Sequence, residues 1–264
     1  MNWIYLSPHF DDAAYSCGGL IWGQNQTNLK VSIWTVFAGN PPEGMLSPFA
    51  LSIIRRWGLE EKPTKFRRNE DILSCQILGA GWHHFEYPDA IYRTASGNFP
   101  GSKLSATGHL YPDESSLFGT LNQEECQLID QIADSILFIL KEKYLLDQNL
   151  SEVVQLVCPL GLGNHVDHQV TRCAAESLGL PLLYYADFPY VQKSMKELNN
   201  LTDSGWRKTV HRISQSELTA WQKAIEAHQS QLGTFWSRKT EMHQAVASYL
   251  KDMGGIPLWG WFSA

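Results

Sequence analysis

Positive charge is in short supply in this chain: 21 lysines and arginines face 27 aspartates and glutamates, for a formal net charge of −6. A dedicated nucleic-acid binder needs a basic face for the phosphates, so the balance argues against that class. Cysteine is sparse too. Cys17, Cys75, Cys126, Cys158 and Cys173 are scattered and contain no Cys-x-x-Cys pair. This excludes a disulfide scaffold and a thiolate zinc knuckle, and it suits a reducing compartment. No apolar run approaches the ~18 residues that a membrane span requires. The opening MNWIYL has no basic segment leading into a long apolar one, so no signal peptide is expected and a cytoplasmic location is the default. No Gly-x-Gly-x-x-Gly follows the first apolar run, which argues against dinucleotide binding. No internal repeat is present.

What the chain does have is length and a core. Its 264 residues are 44% apolar, enough for one large globular domain spanning 1–264. Short apolar runs at 3–7, 30–38, 82–87, 153–159 and 181–186 read as strands, the second rich in β-branched and aromatic residues. Between them, 12–24, 67–78, 122–145 and 168–178 read as helices, and Leu128, Ile132, Ile136 and Ile139 share one face of the third. The alternation predicts an α/β fold: a Rossmann-like three-layer sandwich with a mostly parallel sheet between helices.

Two stretches interrupt it. Residues 39–65 carry Pro41, Pro42, Pro48 and Pro63 with a short helix expected near 49–57, and residues 94–119 are rich in Gly, Ser and Pro. Long loops in a compact domain are usually functional or mobile. Both follow expected strands, whose carboxyl ends border the ligand crevice of open α/β sheets. The alternative is plain surface decoration.

The chemistry-bearing residues cluster at two strand-to-helix junctions. After the first strand comes Ser7-Pro8-His9-Phe10-Asp11-Asp12. Two carboxylates and an imidazole this close are costly to bury unless a cation pairs with them. His9 and Asp12, three residues apart, point the same way once the chain turns helical, and Asp11 projects elsewhere. Alternatively, Asp11 or Asp12 is simply a helix N-cap and His9 a turn residue. The second junction is Gly161-Leu162-Gly163-Asn164-His165-Val166-Asp167-His168, after the fourth strand. In a parallel sheet both junctions lie on one edge. His plus Asp from the first and His from the second make three N/O ligands with a position left for water, the composition of a catalytic zinc site. Leftover Asp11, His165 and Asp167 would then be acid–base and orienting groups.

Pro8-His9-Phe10-Asp11-Asp12 and His165-Val166-Asp167-His168 resemble the two signatures of the PIG-L/LmbE-like superfamily of zinc-dependent de-N-acetylases. Ala13 stands where many members carry glutamate, so that residue's supporting role is absent or supplied elsewhere. Arg67-x-x-Glu70 with Leu78-Gly79, Tyr87-Pro88-Asp89, and residues 223–231 are similar to further segments of that family, so the resemblance runs from about residue 3 to 231. It implies one Zn²⁺ per chain (another divalent ion being compatible) on His9, Asp12 and His168. It also implies Asp11 as general base, His165 as acid or oxyanion partner, and Asp167 orienting His165. Arg67 and Asp89 become candidates for substrate recognition, although Arg67 could equally be an exposed helix arginine.

The implied reaction is hydrolytic removal of an N-acetyl or other small N-acyl group from an amino-sugar conjugate, such as one of N-acetylglucosamine. The chemistry is sound in its own right. Zinc lowers the pKa of bound water towards ~7 and polarises an amide carbonyl, and a nearby carboxylate takes the water's proton. A protonated His165, held by Asp167, would stabilise the oxyanion. Two other readings remain open at this stage: a zinc amidase for a larger amide, and a non-catalytic sugar- or nucleotide-binding Rossmann-like domain. The expected partner is a small-molecule amino sugar, without nucleic acid or a membrane span, and a homo-oligomer is compatible. Cys17 reads as an inert buried thiol, and His83 and His84, adjacent in a strand, face opposite sides and read as packing residues.

Overall fold

The run Trp3-Ile4-Tyr5-Leu6 is apolar at consecutive positions, as a strand covered on both faces must be, and Ile4, Tyr5 and Leu6 are fully buried. In the computed structural model, which describes residues 1–43, 46–59, 61–95, 108–144, 150–203 and 205–261, this run is the centre of the sheet. The strands are β1 (Asn2–Ser7), β2 (Lys30–Thr35), β3 (Gly81–His84), β4 (Val154–Pro159), β5 (Leu182–Tyr185), β6 (Arg207–His211) and β7 (Ile256–Gly260). They join in the order β3-β2-β1-β4-β5-β7-β6. The first five are mutually parallel, with Asn2 beside both Lys30 and Val154, and β7 runs antiparallel to both β5 and β6.

The helices are α1 (Asp12–Gln26), α2 (Pro48–Arg56), α3 (Pro63–Leu78), α4 (Glu114–Leu117), α5 (Glu125–Tyr144) and α6 (Leu150–Val153). They continue as α7 (Val166–Ser177), α8 (Met195–Asp203), α9 (Gln215–Ala227), α10 (Gln229–Phe235) and α11 (Lys239–Met253). Parallel crossovers are right-handed. The steps β1→α1→β2 and β2→α3→β3 move one way across the sheet, and β3→α5→β4 and β4→α7→β5 move the other. α1 and α3 therefore cover one face, where α9 joins them, and α5 and α7 cover the opposite face. The result is the three-layer α/β sandwich with a mostly parallel sheet that the alternation predicts.

The contact of α1 with α9 needs a residue without a side chain. A Cβ on Gly18 would fall 2.5 Å from the Trp221 ring, and the Trp221 indole Nε1 donates to the Ala14 carbonyl at 2.9 Å. Trp221 thus reaches the helix that carries Asp11 and Asp12.

Two differences from the sequence reading have physical causes. β2 ends at Thr35 rather than 38, because its partner β1 ends at Ser7: the Val36 amide still donates to the Ser7 carbonyl, but Phe37 already donates to Pro8 in the turn that follows. The strands β6 and β7 were not expected. β6 is charged and half exposed, and β7 contains Pro257, a residue that by itself argues against a strand interior. Among the described residues no helix is long and apolar enough to cross a membrane. Residues 44, 45, 60 and 96–107 of the two expected insertions lie outside the described residues.

Candidate active site

Because β1 and β4 are neighbours whose crossovers leave in opposite directions, the loops after them diverge and open a crevice at the carboxyl edge of the sheet. Both loops run directly into helix N-termini, whose partial positive charge favours carboxylates nearby. In the first, Ser7 Oγ donates to the His9 carbonyl at 2.6 Å and accepts from Ala13 N at 3.0 Å, bracing the turn. Asp12 Oδ2 accepts from the His9 amide at 2.7 Å. Asp11 stands at the N-cap of α1 but makes no side-chain cap bond; its carboxylate turns instead to Arg67, whose Nη2 is 3.3 Å from Oδ1. In the second loop His165 is the N-cap of α7, its Nδ1 accepting from the Asp167 amide at 3.2 Å. A neutral ring in that role carries its proton on Nε2.

The structure brings His9, Asp12 and His168 together. Asp12 Oδ2 lies 3.1 Å from His9 Nδ1 and 3.3 Å from His168 Nε2. The second contact is off the line of a hydrogen bond, so His168 Nε2 is a buried nitrogen without a hydrogen-bond partner. Ligands ~2.0–2.1 Å from a tetrahedral zinc stand about 3.3 Å apart, which these separations match. The far nitrogen of each imidazole is held by a buried carboxylate: His9 Nε2 by Asp167 Oδ2 at 2.9 Å, and His168 Nδ1 by Asp187 Oδ1 at 2.7 Å. Metal-ligating histidines are oriented in this way. His9, His165 and His168 can also offer ring nitrogens within 4.8 Å of one another, so His165 borders the same point. His9, Asp89 and Asp167 form another close group, but there Arg93 Nη1 is 2.6 Å from Asp167 Oδ1 and Arg67 Nη1 is 3.8 Å from Asp89 Oδ2. Protein cations already neutralise that group.

The charges follow these contacts. Burial would lower the His9 imidazole, but Asp89, Asp12 and Asp167 raise it well above its usual value. Burial likewise opposes the His168 charge, yet Asp12 and Asp187 push its pKa up to about 10. Burial, then the neighbouring His9, hold His165 well below its usual value. Without metal, Asp12 is therefore an anion between two imidazolium rings, and a divalent cation would take their place.

Asp167 sits differently from its expected place. Its carboxylate turns not to His165 but to His9, to Arg93 and to the Ala90 amide at 3.0 Å, and only its backbone N–H meets His165. Arg67 is buried, not an exposed helix arginine. It spans Asp11 and Asp89 and stacks under Trp57, with its guanidinium carbon 4.5 Å from the ring centroid. Asp89 also caps a short 3₁₀ turn by accepting from the Ile91 amide. His84 pairs with Asp71 at 2.6 Å and His83 packs on Trp34 and Phe85, both away from the crevice. Burial pushes the Cys17, Cys75 and Cys158 thiols up, and all five cysteines are free.

Above this floor lies a cleft of about 610 Å³ that includes His9, Asp11, Asp12, Arg67, Asp89 and His165 in its lining. Several residues here escaped the sequence reading. Asp187 follows β5 at the same sheet edge, and that position was the signal that could have found it. Arg93, clamped between Asp167 and Glu125 and lying over the Phe37 ring, had no sequence signal. Tyr190 enters through Gly163, whose φ of +88° and missing Cβ leave room for the ring.

Comparison with known proteins agrees with this geometry. Residues 4–178 match the family model described as PIG-L, GlcNAc-PI de-N-acetylase. The chain is 27% identical over 229 residues to 2'-N-acetylparomamine deacetylase of Niallia circulans, covering 78% of this chain and 72% of that protein. A protein of the same name from Streptomyces fradiae is 26% identical over 212 residues, 75% of this chain and 63% of the relative. The zinc-inhibited form of teicoplanin deacetylase superposes with a TM-score of 0.75 at 23% identity, covering 98% of this chain and 97% of that one. The N,N'-diacetylchitobiose deacetylase of Pyrococcus horikoshii gives 0.54 at 15% identity, over 99% and 82%. These structural likenesses establish the fold.

Proposed function

From the premise that the chain belongs to the PIG-L family, whose model spans residues 4–178, we propose that it is a zinc-dependent hydrolase removing an N-acetyl group from an amino-sugar conjugate. The observation that carries the proposal is Asp12 Oδ2 between His9 Nδ1 and His168 Nε2, with each histidine's far nitrogen on a buried carboxylate. His9, Asp12 and His168 hold the metal. Zinc there supplies an acidified water and polarises the acyl oxygen.

The remaining steps belong to the chain itself. Asp11, freed from helix capping and steadied by Arg67, takes the proton of the attacking water and returns it to the leaving amine. His165, neutral with its proton on Nε2, donates to the oxygen that gains charge as the carbonyl carbon becomes tetrahedral. Asp167 and Asp187 fix His9 and His168, and Arg93 fixes Asp167. Arg67 and Asp89, lining the cleft beside Asp11, receive the sugar hydroxyls. Residues 1–264 act as one domain, since β6 and β7 continue the same sheet, and the free thiols suit a cytoplasmic setting.

Metal analysis of the purified protein, paired with an acetate assay, tests the reading. The expected result is near one zinc per chain and acetate release from N-acetylglucosamine conjugates, faster than from longer N-acyl analogues. Zinc-loaded protein that releases no acetate from any of them overturns it.

A further inference from the structure

The cleft is larger than its chemistry requires. Its roughly 610 Å³ falls in the range of about 300–1,000 Å³ that drug-sized ligands fill, and one acetamido sugar over the metal site occupies only the inner part. The outer part is walled by half-buried aromatic rings from separate elements: Phe49 and Trp57 on the α2 side, Phe118, Tyr190, Phe235 and Trp236 on the other. Phe118, Tyr190, Phe235 and Trp236 form an unbroken series, with successive ring centroids 5.9, 5.6 and 5.5 Å apart. The series begins at the metal site, because Tyr190 stands edge-on to His168 and Phe118 edge-on to His165.

We propose that this outer cleft is an aglycone subsite for a flat aromatic group, neutral or acidic, attached to the amino sugar. The inference rests on the deacetylase reading and extends it to the class of conjugate. Rings set at steep angles present faces and edges for another aromatic ring to pack against, an interaction that gains beyond area burial alone. The polar side chains of the lining, Arg56, Glu114, Gln192, Lys193, Ser194 and Thr234 among them, could also meet the hydroxyls of a second sugar, so a disaccharide is the competing occupant that the test must separate from an aromatic one. At the mouth Arg56 and Lys193 outnumber Glu114, and all three are exposed, which favours an acidic substituent over a basic one.

The test compares 4-nitrophenyl and methyl N-acetylglucosaminides with N,N'-diacetylchitobiose as substrates of the zinc-loaded protein. Tryptophan-fluorescence titration with the corresponding deacetylated glucosaminides measures binding independently of turnover. The aryl glycoside should exceed the methyl glycoside about tenfold in kcat/KM, through KM, with the same preference in binding. Phe49→Ala and Phe235→Ala should each bring that ratio close to one. A 4-carboxyphenyl glycoside should be preferred about threefold over a 4-(aminomethyl)phenyl one at low salt, and the gap should close as salt is raised. An aryl glycoside no better than the methyl glycoside, a disaccharide equal to it, or a ratio unmoved in both variants overturns the proposal. If no probe releases acetate while the aryl preference in binding persists, the subsite stands and the deacetylase reading falls.

Discussion

Asp167 stands two positions from His165, yet its carboxylate serves His9, 158 residues away in the chain. That one contact changes what a substitution there should do. Asp167→Asn should lower zinc affinity about 10–100-fold by loosening His9, measured by competition with a chelator; unchanged affinity together with lost turnover would return Asp167 to His165. Asp11→Asn should keep its zinc and lose about 10²–10⁴ in turnover, and His9→Ala should lose the metal itself. Arg93 is buried against Asp167 and Glu125, so Arg93→Met removes the cation of buried Glu125 and leaves Asp167 with only His9 and the Ala90 amide, and should cost about 3–5 kcal/mol in denaturant unfolding. At this scale the sequence displayed His9, Asp11, Asp12, His165, Asp167 and His168 because they fall in two short segments. Arg93 and Asp187 stand alone in their segments, and nothing local separates a buried arginine clamp from an ordinary surface arginine.

Among the elements, the loop between β4 and α7 does more than deliver histidines. Gly163 holds φ +88°, and a Cβ there would meet the Tyr190 side chain at 3.0 Å. Gly163→Ala should therefore cost about 1–2 kcal/mol in backbone strain and displace Tyr190 from the wall of the cleft. A melting curve and the KM for an aryl glycoside check this, and an unaltered KM would mean that the ring does not touch substrate. Elements with strong patterns were legible: the apolar runs of β1, β2 and β4 and the helical face of α5 appear in the sequence within a few residues of their observed ends. β6 and β7 were not, since their five residues each take meaning only from pairing with β5 and with each other. Strand identity there is a property of the neighbours.

For the molecule as a whole, the proposed metal site would join α1 to α7 across the switch point of the sheet, so ligation should be felt globally. Zinc at about 100 times its Kd should add about 2.7 kcal/mol to unfolding stability, visible as a rise in melting temperature that a chelator reverses. An identical melting temperature with and without chelator would contradict a site built from both halves of the parallel sheet. The sequence by itself determined the class of fold, through alternating apolar periodicities, and pointed to the chemical kind of the proposed centre, because scarce unpaired cysteines leave imidazole and carboxylate as the candidate ligands. Only the tertiary structure decided which carboxylate serves which imidazole, that Arg67 is a buried bridge rather than a surface charge, and that aromatic side chains from four distant segments wall one cleft. These are contacts between residues far apart in the chain, and their geometry is set by how helices pack on the sheet rather than by any local pattern.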